Sequence, residues 1–176
     1  MKNYINLVNN AALSSSDEIV KNGGLPYASI LLSVLFKHCD KIARIYCNGF
    51  KPELVCSSPF WQSFKNWLYT PGHTLLALVE TTDYINDDPM ILLKKIKEYG
   101  KNNISVKLIG QKGIEHFKER WGEPMHFSVF DYQKFRYEYD PENYRAYGSF
   151  NQPKNAAIMI EEFDKIFYDK TSTEII

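Results

Sequence analysis

The sequence predicts a single α/β domain. Strand-length apolar runs alternate with amphipathic stretches along the chain, which is the order of a sheet covered by helices. The run "HTLLALVETTD", residues 73–83, is almost continuously apolar, as expected of a strand buried on both faces. The chain has 176 residues, 44% of them hydrophobic, enough for a core that needs no disulfide or metal to hold it.

Residues 4–21 read as a helix, with Asp17 as a capping residue for a restart after the serine run. "NGG" at 22–24 and Pro26 break it. "YASILLSVLFKHCDKI", 27–42, repeats apolar residues at helical spacing. "ARIYCNG" reads as a strand. Ser58 and Pro59 are placed as cap and first residue of a helix that stops at Pro71-Gly72. After the 73–83 strand, Asp88 and Pro89 open another helix, with Gly100 at its end. "ISVKLIG" is a strand, "GIEHFKERWGE" a short helix, "MHFSVFD" and "KFRYEY" strands, "RAYGSF" a strand end and "NAAIMIEEFDKIFYD" a closing helix. Repeats and linkers are absent. Residues 1–40 form a helical N-terminal extension on a core spanning 41–170.

Composition narrows the function. Lys plus Arg and Asp plus Glu both total 21, which argues against a sequence-independent DNA coat but leaves room for a local basic patch. Cys39, Cys47 and Cys56 lack metal-ligand spacing and read as free thiols in a reducing cytosol. No secretory leader and no apolar run of bilayer length are evident, so a cytoplasmic protein with no membrane partner is expected. The Lys, Asn, Ile and Tyr bias suggests a bacterial source with an AT-rich genome. Nucleotide-binding, zinc-protease and nucleophile-elbow signatures are missing, and no cofactor or metal is expected.

Chemistry concentrates near the C-terminus. Alternation along 125–131 places Met125, Phe127 and Val129 on a core face, and His126 and Ser128 together on the other. His126 is either a hydrogen-bonded structural histidine or a phosphate contact or acid–base group. Ser149 and Asn151 alternate beyond Gly148, a position where backbone can approach a ligand. They are either turn and cap residues or hydrogen-bonding groups for phosphate oxygens.

These residues resemble the phospholipase D superfamily half-domain. Its motif is His-x-Lys-x-x-x-x-Asp on a strand, followed by a Gly-Ser-x-Asn turn and an amphipathic helix. Asp131 fits the aspartate, Gly148-Ser149-Phe150-Asn151 the turn, and "AAIMIEEFDKIF" the helix; the resemblance covers roughly residues 40–168. It implies an α/β/α sandwich around a mixed central sheet. Counting back from Asp131, the family lysine position holds His126 and the family histidine position holds Pro124. The family reaction passes through a phosphohistidine, and proline cannot be that nucleophile.

Three readings follow. The first is a pseudoenzyme that binds nucleic acid, a nucleotide or a protein partner. There His126, Ser149 and Asn151 would cradle a phosphate, Arg136 and Arg145 would add contacts, and Trp121, Tyr137, Tyr139, Tyr144 and Tyr147 could stack bases. The second is a metal-independent phosphodiesterase. Single-motif family members pair two protomers, which implies a homodimer with two His126 side chains meeting, oriented by Asp131 or Glu138. The third is a protein-interaction domain that shares only the fold.

Overall fold

The computed structural model describes residues 1–122 and 125–176. Pro124, the family histidine position, lies outside the described residues. Lys2–Leu13 form α1, Val20–Gly23 β1 and Leu25–Lys37 α2. Ile42–Cys47 form β2, Pro52–Val55 α3, Phe60–Tyr69 α4 and Thr74–Val79 β3. Asp88–Glu98 form α5, Asn103–Leu108 β4, Gln111–Trp121 α6 and His126–Phe130 β5. Lys134–Asp140 form β6, Arg145–Ser149 β7, Pro153–Phe167 α7 and Thr173–Glu174 β8.

Among the described residues these strands make one eight-stranded sheet, ordered β1-β7-β6-β5-β2-β3-β4-β8. β2, β3 and β4 run parallel, and the other pairings are antiparallel. One core, built on Phe36, Phe64 and Phe130, joins the sheet to α1–α5. The second, built on Phe117, Phe127 and Phe163, joins the opposite face to α6 and α7. The predicted sandwich and mixed sheet are therefore present. Within the 73–83 run the strand stops at Val79, and Leu75–Val79 are buried on both faces because the two cores flank them.

Local boundaries differ where short polar segments decide them. The helix expected over 4–21 stops at Leu13, where Ser14 donates its hydroxyl to the Asn10 carbonyl, and Ser15 turns the chain at φ 47°. Residues 20–23 then pair with β7 as the edge strand β1. The first forty residues thus supply helices and one strand of the sheet. Helix α4 begins at Phe60 rather than Pro59, and α5 takes Asp87 rather than Asp88 at its cap position. Pro89 sits in the first turn of α5 and Lys95 and Lys97 in its last, where each suits the helix end it occupies.

Candidate functional site

Strand β5 alternates as its sequence predicts: Phe127 and Val129 enter the core under α6 and α7, while His126 and Ser128 face α2. The ladder supplies their neighbours. Glu138 lies opposite His126, and Arg136 opposite Ser128. Cys47, one residue past the Tyr46–Phe127 pair, lies beside His126 on β2. Helices α2 and α4 roof this row with Leu32, Phe36 and Phe60, leaving a cavity of about 70 Å³. It opens at the carboxyl end of β2, between parallel β3 and antiparallel β5, the kind of crevice where α/β sheets bind ligands. Its volume admits a few waters or a side-chain tip, well short of the roughly 300 Å³ at which ligand pockets begin.

The polar floor is a closed ion network. His126 Nδ1 lies 3.7 Å from Glu138 Oε2, and Nε2 lies 3.6 Å from Glu80 Oε2. Both are ion-pair distances too long for hydrogen bonds, and Nε2 is buried without a hydrogen-bond partner among the described residues. Glu138 receives Arg136 Nη2 at 2.6 Å, and Arg136 Nε donates to Asn22 Oδ1 at 3.3 Å. Glu80 also accepts from the Tyr46 hydroxyl and from Asn48 Nδ2. Burial pushes the His126 imidazole toward neutrality, but Glu138 and Glu80 outweigh it and raise its pKa above the ordinary histidine value. Burial would also raise Glu80, yet His126, Tyr46 and Asn48 bring it down to about 2. Glu138 is lowered too, against burial, by Arg136 and His126. Two basic side chains, His126 and Arg136, therefore face two carboxylates, Glu80 and Glu138, in the floor of the cavity.

The structure brings His126, Ser128, Arg136 and Glu138 together and leaves the other expected site residues elsewhere. Asp131 lies five residues along from His126, about 17 Å at strand rise. It accepts from the backbone N–H groups of Asp40, Lys41 and Ile42 and from Lys134 Nζ at 2.6 Å. Asp131 therefore ties the β5–β6 turn to the start of β2 and cannot orient His126 within the same chain. The expected cradle of His126, Ser149 and Asn151 is also corrected. Ser149 lies on β7 and pairs with Phe135, so it is two strands and three residues away from His126, about 14 Å. It points to the opposite face and donates to the Ser16 carbonyl. Asn151 lies beyond the strand end and is exposed. The reason is topological: β6, not the Gly-Ser-Phe-Asn segment, is the strand that pairs with β5. Arg145 is exposed near Asp140, 3.8 Å away. Among the aromatics, Tyr144 lines the cavity mouth, Trp121 packs on Phe127, and Tyr137, Tyr139 and Tyr147 occupy the far face of the sheet.

Sequence reasoning passed over Glu80, Tyr46 and Asn22. Glu80 carried a usable signal, as the acid that ends a buried parallel strand at the ligand-binding edge of the sheet. Asn22 carried none, because its partners Arg136 and Tyr144 lie more than a hundred residues away.

The chemistry open to this arrangement is limited. Glu80 and Glu138, at ion-pair distance on either side, favour the protonated form of the His126 ring, and in that form it has no lone pair with which to attack phosphorus. Burial, Glu138 and Glu80 all raise the Cys47 thiol, which keeps it from acting as a thiolate. Among the described residues no group of three His, Cys, Asp or Glu side chains is placed to hold a metal ion. No described helix is long and apolar enough to cross a membrane.

No family model matches the sequence, and no curated protein matches it in sequence. Similarity appears in solved structures. TrmBL2, an archaeal chromatin protein whose structure shows a novel mode of DNA binding, aligns with a TM-score of 0.59 and 8% identity over 97% of this chain. The chain spans only 59% of TrmBL2. Nuc of Salmonella typhimurium, a phospholipase D family member, aligns at 0.57 and 12% identity, covering 89% of this chain and 98% of Nuc. NucT of Helicobacter pylori aligns at 0.56 and 10% identity, covering 90% of this chain and all of NucT. At these identities the likeness is one of fold, and that fold is the phospholipase D fold.

Proposed function

We propose that this chain, with its phospholipase D fold, is a binding module for a phosphate-containing ligand, nucleic acid or a nucleotide, and not a phosphodiesterase. One observation separates this chain from a phosphodiesterase: His126, at the family lysine position, is buried and clamped between Glu80 and Glu138. Any charge on it faces two carboxylates, so it offers a phosphate no net attraction. The two carboxylates favour its protonated form, which is no nucleophile, and the family nucleophile position is Pro124. Fold-level likeness to TrmBL2, whose structure shows DNA binding, makes nucleic acid the first ligand to try.

The test pairs catalysis with binding. Hydrolysis of bis(p-nitrophenyl) phosphate with EDTA present should be absent for wild type and for His126→Ala. Fluorescence anisotropy with labelled oligonucleotides should show binding that weakens as salt rises. Turnover that disappears in His126→Ala would replace this reading with the metal-independent phosphodiesterase, assembled from two copies. Silence in both assays would leave a protein-interaction domain that shares only the fold.

A further inference from the structure

The face of β6, β7 and β1 opposite the ion network carries an aromatic and basic surface that the closed site does not use. In the ladder, Lys21, Tyr147, Tyr137 and Phe127 lie in one row across four strands and share a face. Phe127 is buried under α6 and α7, but α7 sits mainly over β2, β5 and β6, and the row runs out from beneath it. Tyr137 and Tyr147 are half-buried there, with ring centroids 5.0 Å apart and planes 19° apart. Tyr139, two residues along β6 from Tyr137, joins the same stack, 6.2 Å from Tyr147 at 27°. Tyr139 is 50% exposed, so half of this outermost ring of the stack is open to solvent. Lys21 and Arg145 flank the stack, both exposed, and Arg145 points to the same side as Tyr147 two residues on. Asp140 offsets only one of these cations.

We propose that this face binds single-stranded nucleic acid, with bases extending the tyrosine stack from Tyr139 and phosphates meeting Lys21 and Arg145. Parallel rings on a sheet present π-surfaces that accept any base, and flanking cations track the backbone. A duplex keeps its bases stacked inside and cannot use such rings, so the surface selects single strands. Binding is thereby separated from the buried site: phosphates stay outside on one face of the sheet, while His126 balances charge on the other. This inference rests on the nucleic-acid reading above.

Anisotropy with a labelled single-stranded DNA or RNA decamer and the matching duplex tests it, using wild type, Tyr139→Ala and Lys21→Gln/Arg145→Gln. All three positions are exposed, and circular dichroism confirms that the variants fold. Tyr139→Ala should weaken single-strand binding by at least about fivefold, the low end of base–aromatic stacking. The double variant should flatten the slope of log K against log salt by about 0.7 for each cation that meets a phosphate. Single-strand binding unchanged in both variants but lost in Lys51→Gln, at the cavity mouth, would overturn this surface while keeping the nucleic-acid reading. Failure of wild type to bind either nucleic acid would overturn both. Unchanged strand binding together with a dimer that Tyr139→Ala dissociates would assign the face to a second copy instead.

Discussion

Substituting Asp131→Asn tests whether this residue is a structural tie rather than part of the reactive site. Asp131 is 7% exposed and so is Lys134, whose ammonium it receives at 2.6 Å. It also accepts three backbone N–H groups at 2.9–3.3 Å from the turn that leads into β2. Its φ of 55° lies in the left-handed region, which asparagine tolerates, so the variant adds little backbone strain. Asparagine retains one carbonyl oxygen for the backbone donors but leaves Lys134 as an uncompensated buried charge, a loss of about 3–5 kcal/mol. For a chain of this size, that lowers the melting temperature by about 6–20 °C. The assay is urea unfolding of wild type, Asp131→Asn, Lys134→Met and the double variant. The double variant should recover most of the loss, because it removes both charges together. Burial raises the Asp131 carboxyl, but Lys134 and the backbone donors bring it below its ordinary value. Its contribution is therefore present above the unfolded carboxyl pKa and is lost as pH falls through the folded one, so wild type should lose more stability in acid than Asp131→Asn. A loss under about 1 kcal/mol, within the range of an exposed pair, would refute the tie.

Two further stability predictions follow from the same structure. His126 has a raised folded pKa, so its contribution is full below the unfolded histidine value of about 6.5 and fades as pH rises through the folded one. Urea midpoints of wild type should fall with rising pH more steeply than those of His126→Gln, and parallel curves would contradict the clamp. At Gly148 an added Cβ would lie 2.7 Å from the Phe135 carbonyl oxygen, so Gly148→Ala should cost about 1–3 kcal/mol in urea unfolding. A variant within about 0.5 kcal/mol of wild type would show that β6 and β7 can part there without penalty.

Much of the fold was legible because burial leaves a periodic trace. The strand inside the 73–83 run, the α5 helix to within a residue of its expected start, and the alternation along β5 all sit where residue spacing places them. β1 was hidden because "VKNG" is short and polar and becomes a strand only by pairing with β7. The two-residue β8 left even less to read. The site was half legible. Alternation paired His126 with Ser128, but the partner strand could not be read from a motif. Gly-Ser-x-Asn matched by letters, while the ladder had already given the place opposite His126 to Glu138.

The edge strand makes the two ends of this chain depend on one another. Asn22 holds Arg136 through its oxygen and the Tyr144 carbonyl through its amide nitrogen, so one side chain from the first strand braces the loop and the cation of a hairpin more than a hundred residues later. Remove residues 1–23 and Arg136 loses a partner, β7 becomes a bare edge, and the mouth of the cavity loses the bond that holds the Tyr144 backbone. Whatever cleaves or displaces that short leading segment therefore reaches the innermost charges of the molecule without touching them.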